Sequence, residues 1–166
     1  MVNIKRIIIG LLVVIIGIFV ARYILQSEKR KVKKRFDLLS EWVSKDHDES
    51  NFTMARKTLS IGTLFAGNCI LKTHVDSVSG TYNPKEISSL AARVRSEFSS
   101  LSLRFRDLDI GFPEPDKAKV ILTAQLSGGS KTGEPVDDIF ELESDLKKLE
   151  DKWLFTAFEV VEVLER

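Results

Sequence analysis

The side chains best suited to chemistry in this chain are His74 and Asp76, with Tyr82 and Glu159 as further candidates. His74 and Asp76 lie two residues apart in a predicted strand and so face the same side of a sheet, and Tyr82 follows in a loop. A histidine whose tautomer is fixed by a carboxylate can act as a general base. Glu159 and Glu162 interrupt an apolar strand on opposite faces, so one of them would face the interior, where a carboxylate marks a site. The alternative places all of these side chains at solvated strand ends or rims.

Three other motifs have simpler interpretations. Residues 46–49 read Asp-His-Asp-Glu, but successive loop residues rarely converge on one ion, so we predict a solvated loop and no metal site. Residues 128–132 resemble the end of a phosphate-binding loop, yet Ser130 replaces the required glycine and the segment joins two strands, which indicates a hairpin loop. Cys69 is the only cysteine and is predicted to be a small core residue. We therefore expect no cofactor.

The first 25 residues predict a membrane anchor. Fifteen apolar or glycine residues run without interruption over positions 7–21. A helix over positions 4–25 would be about 33 Å long, which is enough to cross the hydrocarbon core of a bilayer. A cleaved signal peptide is the alternative, but Phe19 is too large for a cleavage motif ending at Ala21, and Arg22 follows directly. We assign residues 1–27 to the anchor and residues 28–166 to a single domain.

Charge is distributed unevenly along the chain. Residues 1–35 carry a net charge of +8, whereas residues 36–166 carry −7, which disfavours nucleic acid as a partner. Residues 29–35 contain six basic residues and could attract anionic lipid, or could simply be the solvated start of a helix. We expect lipid contacts through residues 4–35. Basic residues after the span favour a cytoplasmic domain, but a short basic N-terminus usually stays inside; the two arguments are closely balanced, and we expect the extracytoplasmic side.

Hydrophobic periodicity predicts helices first and a sheet afterwards. Three amphipathic helices are predicted, over residues 28–45, 53–65 and 84–99. The third has the clearest start, with Asn83 as N-cap, Pro84 at the first helical position and Glu86 at the third. Gly67 is expected to terminate the second helix, and a short strand over residues 68–75 follows.

The period changes to two beyond Leu101, which indicates strands. Four long strands are predicted, around residues 101–110, 120–126, 140–146 and 152–164. The alternation reverses near Arg106 or Asp107, which predicts a β-bulge, and Glu150-Asp151 is predicted to form a tight turn. The short connections between these strands predict an antiparallel sheet. The domain is therefore predicted to have an α+β fold, with three helices on the apolar face of the sheet.

This order of elements resembles the nuclear transport factor 2-like superfamily, also called the cystatin-like cone or SnoaL-like fold. The resemblance rests on residues 64–69, on the G-x-x-E-I-x-x-L-like entry to the third helix over residues 80–90, and on residues 153–160, and it extends over residues 30–165. It implies a curved antiparallel sheet wrapped over three helices, with a pocket in the cone between them. Some members use an Asp or His in this pocket for lyase, isomerase or hydrolase reactions, but their known Arg, Asp and Tyr arrangements do not recur here.

We therefore expect a single-pass membrane protein whose domain acts by binding rather than by catalysis. The partner would be another protein, a small apolar ligand, or a second copy that pairs through the outer face of the sheet. One alternative is a pocket enzyme that uses His74 and Asp76 as acid and base. Another is a structural subunit of an envelope complex, similar to membrane-anchored assembly factors of secretion systems. Convergence of His74, Asp76 and Glu159 on an enclosed cavity would favour the enzyme, whereas a cone filled by Leu, Val and Phe side chains would exclude it.

The full-length chain is expected to sediment with membranes when broken cells are ultracentrifuged, because transfer of its apolar segment into lipid is favourable. A reporter fused to the C-terminus would identify the side on which the domain lies. A soluble marker enzyme serves as the control, and recovery of the chain in the supernatant with that marker would contradict the prediction.

Overall fold

The computed structural model describes residues 4–73 and 78–164, with side chains for residues 10–73 and 78–163. The chain divides into two compact units between Lys31 and Val32. The helices and strands follow in the order α1 Ile4–Val43, α2 Asn51–Gly62, β1 Phe65–Lys72, β2 Gly80–Tyr82, α3 Pro84–Glu97, β3 Phe98–Glu114, β4 Lys117–Ser130, β5 Pro135–Leu149 and β6 Lys152–Leu164.

The first unit consists of the N-terminal part of α1, whose apolar side chains are exposed. The exposed fraction of the large apolar side chains here lies between 45% at Ile15 and 72% at Phe19. This helix is long and apolar enough to cross a membrane. The domain helix was predicted to begin separately at residue 28, whereas α1 continues into it without a break. No glycine or proline lies between Leu25 and Val32 to interrupt the helix.

The second unit is a six-stranded sheet covered on one face by helices. The strand order is β2-β1-β6-β5-β4-β3. The four long strands form the predicted antiparallel meander, but β1 pairs with β6 in parallel, so the prediction of an entirely antiparallel sheet was wrong in this one pair. Parallel neighbours need a long crossover, and the chain between β1 and β6 supplies it.

The helix boundaries follow from capping and close packing. Asn83 and Glu86 form the predicted capping box at the start of α3, which confirms this boundary. Helix α2 ends at Gly62, and the predicted terminator Gly67 lies in β1 instead. A Cβ atom on Gly62 would lie 2.4 Å from the Ser88 hydroxyl and 2.5 Å from the Pro84 carbonyl oxygen. Only glycine therefore allows α2 and α3 to approach this closely.

Aromatic side chains pack together between the helices and the sheet. The Phe36 ring of α1 is fully buried, and its centroid lies 5.0 Å from that of Phe155 and 5.4 Å from that of Phe105 in edge-to-face geometry. Trp153 packs beside Phe112 at 5.6 Å. Such pairs add about 0.5–1.5 kcal/mol to the burial of the rings. These rings are part of the packed core of the domain.

Local irregularities in the strands keep apolar residues on the inner face. Asp107 has a φ of 53° at a register shift between β3 and β4, which confirms the predicted bulge.

Glu150 and Asp151 have φ values of 48° and 64° in the predicted turn between β5 and β6. A hairpin connection between β4 and β5 is also confirmed, but it consists of residues 131–134, and residues 128–130 of the predicted loop belong to β4.

Replacing Asn83 by Ala is expected to lower the free energy of unfolding by about 1 kcal/mol, because the side-chain oxygen accepts from the backbone N–H groups of Lys85 and Glu86. Chemical denaturation of the full chain would measure the change. Asn83→Asp retains an acceptor and is the matched control, expected to unfold like the original protein. Equal destabilisation by both substitutions would show that the cap does not stabilise α3.

Candidate functional site

A cavity of about 590 Å³ lies between the helices and the inner face of the sheet. All three helices and the strands β1, β3, β4, β5 and β6 contribute to its wall. Among the described lining residues only Thr73 and Arg95 are polar, and the rest are apolar: Leu39, Val43, Ile61, Phe65, Leu71, Val78, Ile87, Leu90, Ala91, Val94, Leu103, Phe105, Ala124, Leu126, Phe140, Leu142, Phe158, Val160 and Val163.

The cavity begins where the packed core ends. Along β4 the inward positions Val120, Leu122 and Ala124 are buried, whereas Leu126, the next inward residue, is only half-buried. Ala124 and Leu126 belong to the cavity wall, and Val120 and Leu122 belong to the core. The same strand therefore contributes to the core at one end and to the cavity wall at the other.

Arg95 connects this cavity to a buried polar cluster. Its side chain is fully buried, although it carries a charge. The Nη1 atom donates to the carbonyl oxygens of Trp42, Val43 and Ser44, at the C-terminal end of α1, and Nη2 donates to the Glu49 carboxylate. A guanidinium satisfies carbonyls that a helix end leaves without partners and opposes the negative end of its dipole.

Glu49 is held between two cations. Its side chain is only 3% exposed, and Lys57 Nζ lies 2.8 Å from Oε1. Burial by itself raises the pKa of Glu49, but hydrogen bonds from Lys57 and Arg95 and their charges outweigh this and leave the pKa below its ordinary value. Glu49 is therefore ionised at neutral pH.

Lys45 binds the C-terminal end of α3, the helix that carries Arg95. Its Nζ donates to the carbonyl oxygens of Arg95, at 3.1 Å, and Phe98, at 2.6 Å, where α3 ends. The backbone of Lys45 also exchanges two hydrogen bonds with Leu101 of β3. The end of α1 and the end of α3 thus cap each other.

Comparisons with known proteins agree with this architecture. No family model and no curated protein sequence matches the chain. Among solved structures, a scytalone dehydratase-like protein from Novosphingobium aromaticivorans has a TM-score of 0.66 at 15% identity, covering 84% of this chain and 86% of its own. The hexachlorocyclohexane dehydrochlorinase LinA-type3 from Novosphingobium barchaimii has a TM-score of 0.65 at 11% identity, with coverages of 84% and 90%. A protein from Xanthomonas campestris, similar to a calcium/calmodulin dependent protein kinase II association domain, has a TM-score of 0.55 at 12% identity, with coverages of 77% and 79%.

The protein has the nuclear transport factor 2-like fold. This confirms the resemblance inferred from residues 30–165. At these identities the similarity is one of fold, and the chemistry of this cone has to be judged from its own residues.

The structure places the predicted site residues of this nuclear transport factor 2-like domain apart from its cavity or outside the described part. His74 and Asp76 lie outside the described residues. Tyr82 belongs to β2 rather than to a loop, and its hydroxyl donates to the Val78 carbonyl oxygen at 2.9 Å. Tyr82 packs against the core and is not among the described lining residues.

Glu159 lies on the outer face of the nuclear transport factor 2-like sheet. Its carboxylate is half-exposed and pairs with Lys72 Nζ at 3.1 Å. The prediction that Glu159 and Glu162 face opposite sides was wrong, because the register between β5 and β6 shifts at Val161. Glu159 pairs with Glu143 and Glu162 with Glu141 on either side of that bulge, so both carboxylates share the outer face.

Sequence reasoning missed the polar cluster that borders the cone. Residues 46–49 were predicted to be a solvated loop, yet Glu49 is buried there. Arg95 gave a detectable signal, because it lies four residues after Ala91 and eight after Ile87, on the apolar face of α3. In the described part of the chain, no group of three or more His, Cys, Asp or Glu residues could hold a metal ion.

Cys69 is fully buried in the core of the nuclear transport factor 2-like domain, as predicted. Burial raises the pKa of Cys69 to about 12, so the residue is a neutral thiol at physiological pH. It packs as a small apolar side chain and takes no part in the cavity wall as described.

Replacing Glu49 by Gln is expected to lower the free energy of unfolding by about 3 kcal/mol at neutral pH, because Arg95 and Lys57 lose their counter-charge in a buried cluster. The pKa of Glu49 is lower in the folded than in the unfolded state, so its stabilisation is fully present above the ordinary pKa of 4.5 and is lost as the pH falls through the folded value. The difference between the two proteins should therefore shrink in acid.

Denaturation of both proteins over a range of pH would measure this difference. Glu159→Gln is the matched control, since it removes an exposed ion pair and should change stability by less than about 0.5 kcal/mol. A Glu49→Gln protein as stable as the Glu159→Gln protein would contradict a stabilising role of the cluster.

Proposed function

We propose that the protein is a membrane-anchored binding domain whose cone holds a small apolar ligand. The single observation that carries this proposal is the apolar wall of the cavity, in which Thr73 and Arg95 are the only polar residues described. A volume of about 590 Å³ lies within the range of roughly 300–1,000 Å³ typical of small-molecule sites. Burial of a ligand here would be driven by the hydrophobic effect, at about 0.8 kcal/mol for each CH₂ group.

The described part of the wall offers no acid or base for the pocket-enzyme alternative, whose residues His74 and Asp76 lie outside the described residues. A general acid or base must lie within hydrogen-bonding reach of the proton that it transfers. The described lining residues include no carboxylate and no imidazole, and Arg95 is engaged in a structural cluster. Binding is therefore the function that these residues support best, although the fold also occurs in the dehydratase-like and dehydrochlorinase structures.

The anchoring part of the proposal rests on α1. Its exposed apolar segment would lie in the bilayer, with lipid contacts through residues 4–35, as a single pass with an extracytoplasmic domain. A cleaved signal peptide remains the alternative interpretation of the same segment. The intact mass of the mature chain separates the two, because cleavage would remove the apolar residues.

Assembly through the outer face of the sheet is a second candidate, favoured by two exposed apolar side chains. Ile121 and Val161 are 50% and 51% exposed. The surrounding surface is charged, and the Lys119–Glu143 ion pair at 2.7 Å raises the pKa of Lys119. A homodimer or an envelope protein partner on this face stays a prediction, and cross-linking of the full chain in membranes would test it.

A photoactivatable alkyl diazirine is expected to label the cavity wall of the full chain held in lipid nanodiscs. Labelled peptides would be identified by mass spectrometry, with the labelled α1 segment as an internal reference. Ala91→Phe should reduce labelling of the wall about tenfold, because the added ring takes the space of several CH₂ groups.

Ala92→Phe is the matched control for this experiment. Ala92 is the next residue of α3 but lines a shallow groove between α2 and α3 instead of the cavity. This variant should be labelled like the original protein. Labelling confined to α1, or equal reduction by both substitutions, would contradict ligand binding in the cone.

A further inference from the structure

The sheet side of the cavity wall forms a band that crosses five adjacent strands, from β1 to β3. In β3, β4 and β5 the band is two inward residues deep: Leu103 and Phe105, Ala124 and Leu126, and Phe140 and Leu142. Neighbouring strands lie about 4.8 Å apart, so five strands extend the band over about 19 Å, whereas two inward residues cover only about 7 Å along a strand. The wall is therefore long across the strands and short along them.

The strand register makes this band continuous. Phe105 lies opposite Ala124, Ala124 lies opposite Phe140, and Phe140 lies opposite Val163. All four residues belong to the cavity wall, and Val163 is 42% exposed. On the helical side Val94 of α3 also lines the cavity and is 39% exposed. An elongated ligand can therefore lie along this row, with one end where the wall reaches solvent.

The sheet beneath the band is twisted. Neighbouring strands are rotated by about 20–25° relative to each other, which accumulates to about 80–100° over five strands. A rigid system of fused rings can contact only part of such a surface. A chain with many rotatable bonds can follow the whole of it, so the shape of the wall favours a flexible ligand.

The two polar residues of the described wall are engaged within the protein. Arg95 is fully buried and so presents no charged surface to the cavity. The backbone N–H of Thr73 donates to the Ser79 hydroxyl oxygen at 3.0 Å, and its carbonyl oxygen accepts from that hydroxyl at 2.9 Å. A polar group carried into the cavity would lose its water without gaining a partner from these side chains. The described wall therefore disfavours polar groups along the buried part of a ligand.

We propose that the ligand is a flexible, unbranched alkyl chain that lies across the strands and carries no polar group along its buried length. A polar end, where the chain has one, stays outside the opening beside Val94 and Val163. This inference rests on the proposed function, since it assumes that the cone holds an apolar ligand. It adds the shape, the flexibility and the polarity that the ligand must have.

The experiment compares three photoactivatable probes that carry the same diazirine group. One is an unbranched alkyl chain, the second is the same chain with a hydroxyl group at its middle, and the third is a rigid fused-ring hydrocarbon. Each is added to the full chain in lipid nanodiscs, and labelling of the cavity wall is divided by labelling of α1, which corrects for different partition into lipid. The plain chain should label the wall about tenfold more than either of the other probes, because an unpaired hydroxyl and an incomplete apolar contact both weaken binding.

Two variants test whether the wall itself rejects the hydroxyl group. Val160→Thr replaces a methyl group of the cavity wall by a hydroxyl of similar size, which can pair with the hydroxylated chain. The ratio of plain to hydroxylated labelling should fall by about threefold or more, since a flexible chain can slide until the two hydroxyls meet. Val161→Thr is the matched control, because Val161 is the next residue of β6 and is 51% exposed. Its ratio should stay unchanged. Both probes are measured on the same protein, so a loss of stability does not by itself alter the ratio.

The outcomes distinguish this inference from the proposed function. Absence of wall labelling by all three probes overturns the proposed function. Wall labelling by the ring system or by the hydroxylated chain that equals labelling by the plain chain overturns the alkyl inference and leaves apolar binding in place. An unchanged ratio in Val160→Thr, or an equal fall in Val161→Thr, also overturns the inference, because the preference would then not arise from the cavity wall.

Discussion

The buried guanidinium of Arg95 holds the helical layer of this domain together. It closes the C-terminal end of α1 through three carbonyl oxygens and binds Glu49, which in turn binds Lys57 of α2. Lys45 completes the arrangement by capping the end of α3. Arg95 of α3 thus contacts the end of α1 directly and is connected to α2 through Glu49 and Lys57, and removal of the Glu49 carboxylate leaves the buried guanidinium without a counter-charge. The apolar cavity depends on this scaffold because its helical wall is positioned by the same residues.

Much of the fold could be predicted from local signals in the sequence. The capping box at Asn83, the reversed alternation near Asp107 and the turn at Glu150-Asp151 each depend on residues that are adjacent in the chain. The parallel pairing of β1 with β6 and the bulge at Val161 depend on partners far away in sequence, so no local pattern shows them. The continuity of α1 was missed for the opposite reason: two predicted helices were separated where no residue breaks the helix.

The candidate site was harder to predict than the fold. Sequence reasoning selected polar side chains in apolar strands, but Glu159 pairs with Lys72 on the outer face. The cavity is built from Leu, Val, Ile, Phe and Ala, which are the same residue types that fill the core, and an empty volume between such side chains leaves no signature in composition or periodicity. Arg95 was the one informative residue, because it places a charge on the apolar face of α3. Its role could not be predicted, since its partners come from the end of α1 and from the loop before α2.

Because Cys69 is buried, its reactivity can be used to detect opening of the folded domain. The chain has no other cysteine, and this thiol is fully shielded in β1. A thiol reagent in the medium can therefore react only with molecules in which the packing around β1 has opened, so the rate of modification reports how often this part of the domain opens. The same property lets a spectroscopic label be attached at any introduced surface cysteine without removal of the native one.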